Sequence, residues 1–179
     1  MVSFDANSTR GPWVIFGPSD AKEFREQLDA LQAAGGQVHH FQARDLLTER
    51  ELFRVFAEKL EFPGYFGQNW DALVDCLDDL CAAVTGGVGM AGVIHDADML
   101  ATAEHLRLFV SVLCQAADRA NSDVDLDGDP LDRPAIAEHF IFLLDEADVT
   151  DLTARIEHTD LVVTEEGQFL TVALNPDAW

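Results

Sequence analysis

The chain has 179 residues, of which 48% are hydrophobic, so it can bury a core and matches the size of a single domain over residues 1–179. Its formal net charge is −22, with only 11 lysines and arginines. Such a surface repels phosphates and anionic headgroups, which argues against direct binding of nucleic acid or membranes. It attracts basic proteins and metal ions, although a charge that merely keeps the protein soluble is an equal explanation.

The cysteines and the N-terminus bear on where the protein works. Cys76, Cys81 and Cys114 are an odd, small set that does not suggest a disulfide framework. There is no basic-then-apolar export signal and no apolar run long enough to span a membrane. Reduced thiols and a cytoplasmic location are therefore expected. A monomer is expected, although the sequence leaves the oligomeric state open.

The first 36 residues predict a strand and a helix after a loose tail at residues 1–10. The apolar run Trp13–Phe16 predicts the strand. Ser19 is a suitable N-cap for the helix, whose apolar residues recur at helical spacing. Gly35 and Gly36 end that helix.

The middle of the chain continues this alternation. A strand is expected from Val38, and Thr48 with Glu51 makes a capping box at the start of the next helix. That helix has one apolar stripe: Leu52, Phe53, Phe56 and Leu60. A loop over Phe62–Gly67 then leads into a helix that ends near Gly86 and Gly87.

The second half predicts a buried strand at Met90–Asp96, an amphipathic helix, an acidic loop and an apolar strand at His139–Asp145. The helix is marked by Leu106, Phe109, Val110, Leu113 and Ala117. Strands separated by helices predict an α/β fold with a parallel sheet covered by helices. Two β-like runs around Glu166 and Gly167 predict a C-terminal β-hairpin.

The helix that begins near Trp70 is amphipathic, with an unusually acidic polar face. At 3.6 residues per turn its apolar residues share one side: Trp70, Leu73, Val74, Leu77, Leu80, Cys81 and Val84. Asn69 is a good N-cap, and the helix dipole favours Asp71 in the first turn. Asp71 and Asp75 repel each other at i,i+4, and no basic residue of the helix offsets them. A solvated face and a partner-binding face both remain open.

The preceding loop favours the partner-binding interpretation. It has two large aromatics, Tyr65 and Phe66, between glycines, and exposed aromatics beside charge are typical of interface anchors. One of the two, but not both, is expected to fill the core beneath the loop.

The stretch YFGQNWDALVDCL, Tyr65 to Leu77, resembles the central motif of the barstar family of intracellular ribonuclease inhibitors. The order of elements extends this resemblance over a barstar-like core at residues 38–145. Residues 11–36 are then an N-terminal strand-helix extension, and residues 146–179 a C-terminal extension. The resemblance implies a barstar-like fold, no enzymatic activity, no cofactor, and a basic, extracellular-type, barnase-like ribonuclease as the partner.

The resemblance also implies a partner-binding site. Its members are Tyr65, Phe66, Gly67, Asn69, Asp71, Val74, Asp75 and Asp78. Asp75 matches the family's dominant aspartate, whose carboxylate takes the phosphate position of the ribonuclease. Val74 and Leu80 stand where the prototype has tryptophans, and a family glutamate on the next helix has Gln115 or Asp118 as its nearest counterpart. These departures question barnase itself as the best partner.

Two other functions remain open. The scaffold could regulate a different basic protein, or Asp71 and Asp75 could perform acid–base chemistry in a hydrolase. Asp123–Asp129 resembles the start of an EF-hand calcium loop, but the twelfth position is Pro134 instead of a glutamate. His95 is the best remaining metal candidate, and an ordinary surface histidine is the simpler explanation. No metal site is therefore expected.

Overall fold

The computed structural model describes residues 4–84, 87–125, 127–146 and 149–178, with the backbone alone for residues 81–84. These parts contain six strands: β1 Val14–Pro18, β2 Gln37–Gln42, β3 Gly89–His95, β4 Ala137–Leu144, β5 Leu161–Glu166 and β6 Phe169–Leu174. They also contain five α-helices: α1 Lys22–Ala33, α2 Glu49–Lys59, α3 Trp70–Val84, α4 Leu106–Ala120 and α5 Val149–Ile156. Short 3₁₀ turns lie at Ala43–Asp45, Ala97–Thr102 and Pro176–Ala178.

All six strands belong to one sheet in the order β2-β3-β4-β1-β6-β5. The first four are parallel, and the hairpin β5-β6 adds to β1 in the antiparallel sense. This confirms the predicted fold class, a mostly parallel sheet with helices, an N-terminal strand-helix unit and a C-terminal hairpin. The N-terminal strand extends the sheet beyond β4, and the hairpin covers the edge that β1 would otherwise expose.

Successive side chains of each strand point to opposite faces of the sheet and pack into two cores, one on each face. On one face Phe16 stacks on Phe142, with ring centroids 4.2 Å apart, beneath α2, α3, α4 and α5. On the other face Ile15 and Ile141 pack with Phe24 of α1. The acidic helix α3 therefore lies on the larger core.

The expectation of a loose N-terminal tail is wrong from residue 4 onwards; residues 1–3 lie outside the described residues. Phe4 and Ala6 are buried, and the ring of Phe4 contacts Phe24 and His139 edge-on, with centroids 6.3 and 5.1 Å apart. The backbone amide of Ala6 donates to Gln27 Oε1 over 3.2 Å. This segment therefore covers part of the smaller core, because α1 alone does not cover that face of the sheet.

The structure confirms some of the predicted helix ends and corrects others. Thr48 caps α2 by accepting from the backbone amide of Glu51, and Gly35 follows α1 with a φ of +93°, as expected. Ser19 does not cap α1, because a turn from Pro18 to Ala21 delays the helix to Lys22. Its hydroxyl bonds Asp145 instead. Gly86 lies outside the described residues.

One helix escaped prediction. The eight-residue helix α5 buries Val149, Leu152 and Ile156 against the larger core. Its short apolar pattern was too brief to separate from the loops around it. Within the described residues no helix is long and apolar enough to cross a membrane.

Candidate partner-binding site

The helix α3 is anchored along its apolar side. Leu73 and Leu77 are fully buried, and the Trp70 ring packs edge-on against Phe53 at 4.8 Å between centroids. Trp70 also lies beside Phe109 of α4, at 6.3 Å. These contacts hold the helix rigidly and turn its other side to solvent. The side chains of Cys81 and Val84, predicted on the buried side, lie outside the described residues.

The prediction of Val74 as a partner-binding residue needs correction. Val74 is 4% exposed and belongs to the larger core, so it has almost no surface to offer a partner. We therefore remove Val74 from the candidate site.

The carboxylates of the acidic face differ in exposure and in whether an arginine of another element bonds them. Asp71, Asp75 and Asp79 are exposed, while Asp78 is half-buried. Asp75 Oδ1 accepts a hydrogen bond from Nη1 of Arg119 over 2.9 Å. Arg119 projects from the last turn of α4. Its side chain remains 49% exposed, and that of Asp75 remains 69% exposed. An ion pair this exposed contributes at most about 1 kcal/mol to stability.

Asp78 is tied into the fold by a second arginine. Arg133, in the acidic loop before β4, donates from Nη2 to Asp78 and also to the backbone oxygen of Arg119 over 3.0 Å. Burial raises the pKa of Asp78, against the opposing effect of Arg133 and Arg119. Asp78 therefore joins α3 to the loop and is less available than Asp71 or Asp75. Sequence reasoning missed both arginines because they come from other elements.

The aromatic loop separates its two rings as expected. Phe66 is half-buried against the larger core, with its ring 5.1 Å from that of Phe62 and 6.2 Å from that of Phe53. Tyr65 is 81% exposed. The prediction that one aromatic fills the core and the other does not is confirmed, with Phe66 inside. Tyr65 is left exposed in the loop that leads into the acidic helix.

Gly67 and Asn69 shape the junction between loop and helix. Asn69 Oδ1 accepts from the backbone amide of Ala72 over 2.8 Å, which confirms its capping role. Its Nδ2 donates to the carbonyl of Gly67 over 3.3 Å. A Cβ added at Gly67 would lie 2.9 Å from that Nδ2, so the side-chain bond requires glycine or a shifted loop.

The following helix supplies weaker candidates for the family glutamate. Gln115 is half-buried, and its Nε2 donates to Ser111 Oγ over 3.3 Å. Asp118 is half-buried as well, and that burial raises its pKa. It lines a shallow cavity of about 270 Å³ together with Asp78 and Arg119, next to the acidic face.

The metal candidates have other partners. Asp125 Oδ1 accepts from the backbone amides of Asp127 and Asp129, both at 2.9 Å, so its carboxylate holds the acidic loop together. His95 Nε2 lies 2.8 Å from Nδ1 of His40. Across the described residues no three His, Cys, Asp or Glu side chains are grouped so as to hold a metal ion.

The family of this chain follows from comparison with known proteins. A family model described as Barstar (barnase inhibitor) matches residues 36–132, more than half of the 179 residues. The chain belongs to the Barstar family, whose members are inhibitors rather than enzymes. No curated protein and no solved structure gives a significant match.

Proposed function

We propose that the protein is an intracellular immunity protein that blocks the active site of a basic, barnase-like ribonuclease. The candidate inhibitory surface consists of Tyr65, Gly67, Asp71 and Asp75, with Phe66 packed beneath the loop, Asn69 capping the helix and Asp78 at the rim. The observation that carries the proposal is the pairing of two exposed carboxylates with an exposed tyrosine on one rigid helix-loop unit.

The chemistry of RNA cleavage matches this surface. A ribonuclease must bind a scissile phosphate, so its site gathers Lys, Arg and His side chains. Carboxylates held on a rigid helix can occupy the phosphate position and accept charge-assisted hydrogen bonds, without offering a bond to cleave. Because α3 is packed on the core, little conformational entropy is lost on docking. A net charge of −22 also draws the protein toward a basic enzyme.

The test is inhibition of RNA cleavage. The purified protein is titrated against a basic, barnase-like ribonuclease with a fluorogenic RNA substrate, and we expect competitive inhibition that weakens as salt is added. A basic ribonuclease of a different fold controls for charge alone. Absence of inhibition of every barnase-like enzyme tried, including one encoded beside this gene, would contradict the proposal.

A second candidate is a binding module that regulates some other basic protein. The flanking elements β1, α1 and β5-β6 lie outside the stretch that matches the family, and they add surface next to it. A pull-down from the producing cell, identified by mass spectrometry, separates the two candidates. The second candidate would be favoured if the pull-down recovers a basic protein that is not a nuclease and recovers no ribonuclease. Asp75→Ala should then disrupt the recovered complex.

A hydrolase has little support. Asp71 and Asp75 lie on an open helix surface, which offers no cleft to hold a substrate between them. The absence of hydrolytic activity toward RNA in the purified protein is the matching expectation.

A further inference from the structure

We propose that Arg119 is a specificity-determining residue, which selects a ribonuclease carrying a carboxylate beside its phosphate-binding cations. This inference rests on the proposed function and deepens it. It starts from the Arg119–Asp75 ion pair, whose carboxylate belongs to the candidate inhibitory surface.

The ion pair is not explained by stability. Both side chains are about half exposed or more, and pairs of this kind contribute little to folding. Arg133 differs, because it is largely buried and joins Asp78 to the last turn of α4 through two hydrogen bonds. Arg119 is therefore the arginine of the two that a partner can reach.

A purely cationic partner site would disfavour Arg119. If Asp75 enters a pocket of Lys, Arg and His, the guanidinium 2.9 Å from its Oδ1 enters with it and meets like charges. Moving Arg119 away would avoid those like charges only by breaking its bond to Asp75. The conflict disappears if the partner has an acceptor at that point.

An RNA-cleaving site has a reason to provide such an acceptor. Cleavage by acid–base chemistry needs a general base near the 2′-hydroxyl, and a carboxylate next to the phosphate-binding cations can serve. The bond to Asp75 uses one of the five guanidinium N–H groups, and a carboxylate is the partner that a planar guanidinium fits best. Asp75 and Arg119 would then pair with a cation and a carboxylate that are themselves neighbours.

The test compares Arg119→Ala with Arg107→Ala. Arg107 is exposed on the same helix, 12 residues and about 18 Å away, so both variants lose the same charge and are attracted equally from a distance. The probe is the barnase-like ribonuclease that the wild-type protein inhibits. We expect Arg119→Ala to weaken inhibition about tenfold or more, mainly through faster dissociation, and Arg107→Ala to stay within about twofold.

A second comparison distinguishes direct contact from positioning of Asp75. In the Asp75→Ala background, Arg119→Ala should still weaken inhibition several-fold, because the partner's carboxylate still loses its arginine. No effect in that background would reduce Arg119 to a positioning residue and overturn the inference. Equal or tighter inhibition by Arg119→Ala alone would also overturn it, since Arg119 would then be neutral or shield Asp75. If the wild-type protein inhibits no ribonuclease, the proposed function itself fails, and the inference with it.

Discussion

Asp75 and Asp79 are exposed carboxylates one turn apart on α3, and their surroundings differ. Asp75 is bonded to Arg119 across from α4, whereas in the described part of the chain Asp79 forms no ion pair within 4.0 Å. Asp78, between them, is half-buried and bonded to Arg133. Residues of one type on one helix therefore differ in how available they are to a partner, because other elements contact them unequally.

The first prediction concerns these aspartates. Asp75→Ala should weaken inhibition by about 10- to 100-fold, because the variant lacks the carboxylate that accepts charge-assisted hydrogen bonds from the enzyme. Asp79→Ala removes the same charge one turn away and should change inhibition least of the four aspartates. Inhibition constants at one salt concentration check this. Equal losses in the two variants would contradict the assignment of Asp75.

The second prediction separates the two aromatics. Tyr65→Ala should weaken inhibition with little change in the free energy of unfolding, because its ring is 81% exposed. Phe66→Ala should lower the free energy of unfolding by roughly 1–3 kcal/mol, less than for a fully buried phenylalanine. Urea unfolding and inhibition assays on both variants check this. A stability loss in the tyrosine variant equal to that in the phenylalanine variant would refute it.

At the scale of elements, α3 and the loop before it form one unit. The Asn69 side chain caps the helix and also bonds the loop carbonyl at Gly67, so the direction of the helix and the shape of the loop are linked. The sequence was sufficient for the cap and the amphipathic pattern, because both depend on residues within one or two turns of each other. It was not sufficient for Arg119 and Arg133, which reach α3 from 44 and 55 residues away.

The third prediction tests this unit. Asn69→Ala should lower the free energy of unfolding by about 1 kcal/mol through loss of the cap, and weaken inhibition through a looser loop. Asn69→Ser keeps an acceptor for the Ala72 amide and should recover most of the stability. Denaturant unfolding of the three proteins measures the difference. An alanine variant as stable as the parent would show that the cap contributes nothing here.

At the scale of the whole molecule, both extensions build one sheet with the predicted core at residues 38–145. β1 pairs with β4 on one side and with β6 on the other, and the N-terminal segment closes the smaller core over His139. His139 Nε2 donates to the carbonyl of Ser8 over 2.9 Å. The domain boundaries expected from the resemblance, 38–145 within a single domain of 1–179, remain a prediction.

The fourth prediction tests those boundaries. A fragment of residues 38–145 should not unfold cooperatively, because β4 loses β1 and Phe142 loses its stacked partner Phe16. Circular dichroism and size-exclusion chromatography of the fragment beside the full chain check this. A monomeric fragment with a sharp thermal transition would show that the extensions are separable.

The fifth prediction concerns pH. Burial lowers the pKa of His139 below its ordinary value of 6.5, against the raising effect of the Ser8 and Pro12 carbonyls. The unfolded chain then binds a proton near pH 6.5 that the folded chain does not. The stability contributed by neutral His139 is therefore complete above pH 6.5 and is lost as pH falls from 6.5 through the folded pKa.

The free energy of unfolding between pH 7.5 and 5.5 measures this effect. It should fall as pH is lowered, and more steeply in the parent than in His139→Gln, which keeps a donor for Ser8 but does not titrate. His39 and His40, whose pKa values are also lowered by burial, contribute in the same direction in both proteins. An identical pH slope in the two proteins would refute the role of His139.

The sequence by itself determined the amphipathic helix, its cap, the alternation of strands and helices, and the family motif, because each depends on neighbouring residues. The tertiary structure decided which aromatic is buried, that Val74 belongs to the core, that the N-terminal segment is packed, and that Arg119 bonds Asp75. These outcomes depend on contacts between residues far apart in the chain, whose free energies compete only after the sheet has brought them together. The acidic face was therefore readable in sequence, and its division into free and engaged carboxylates was not.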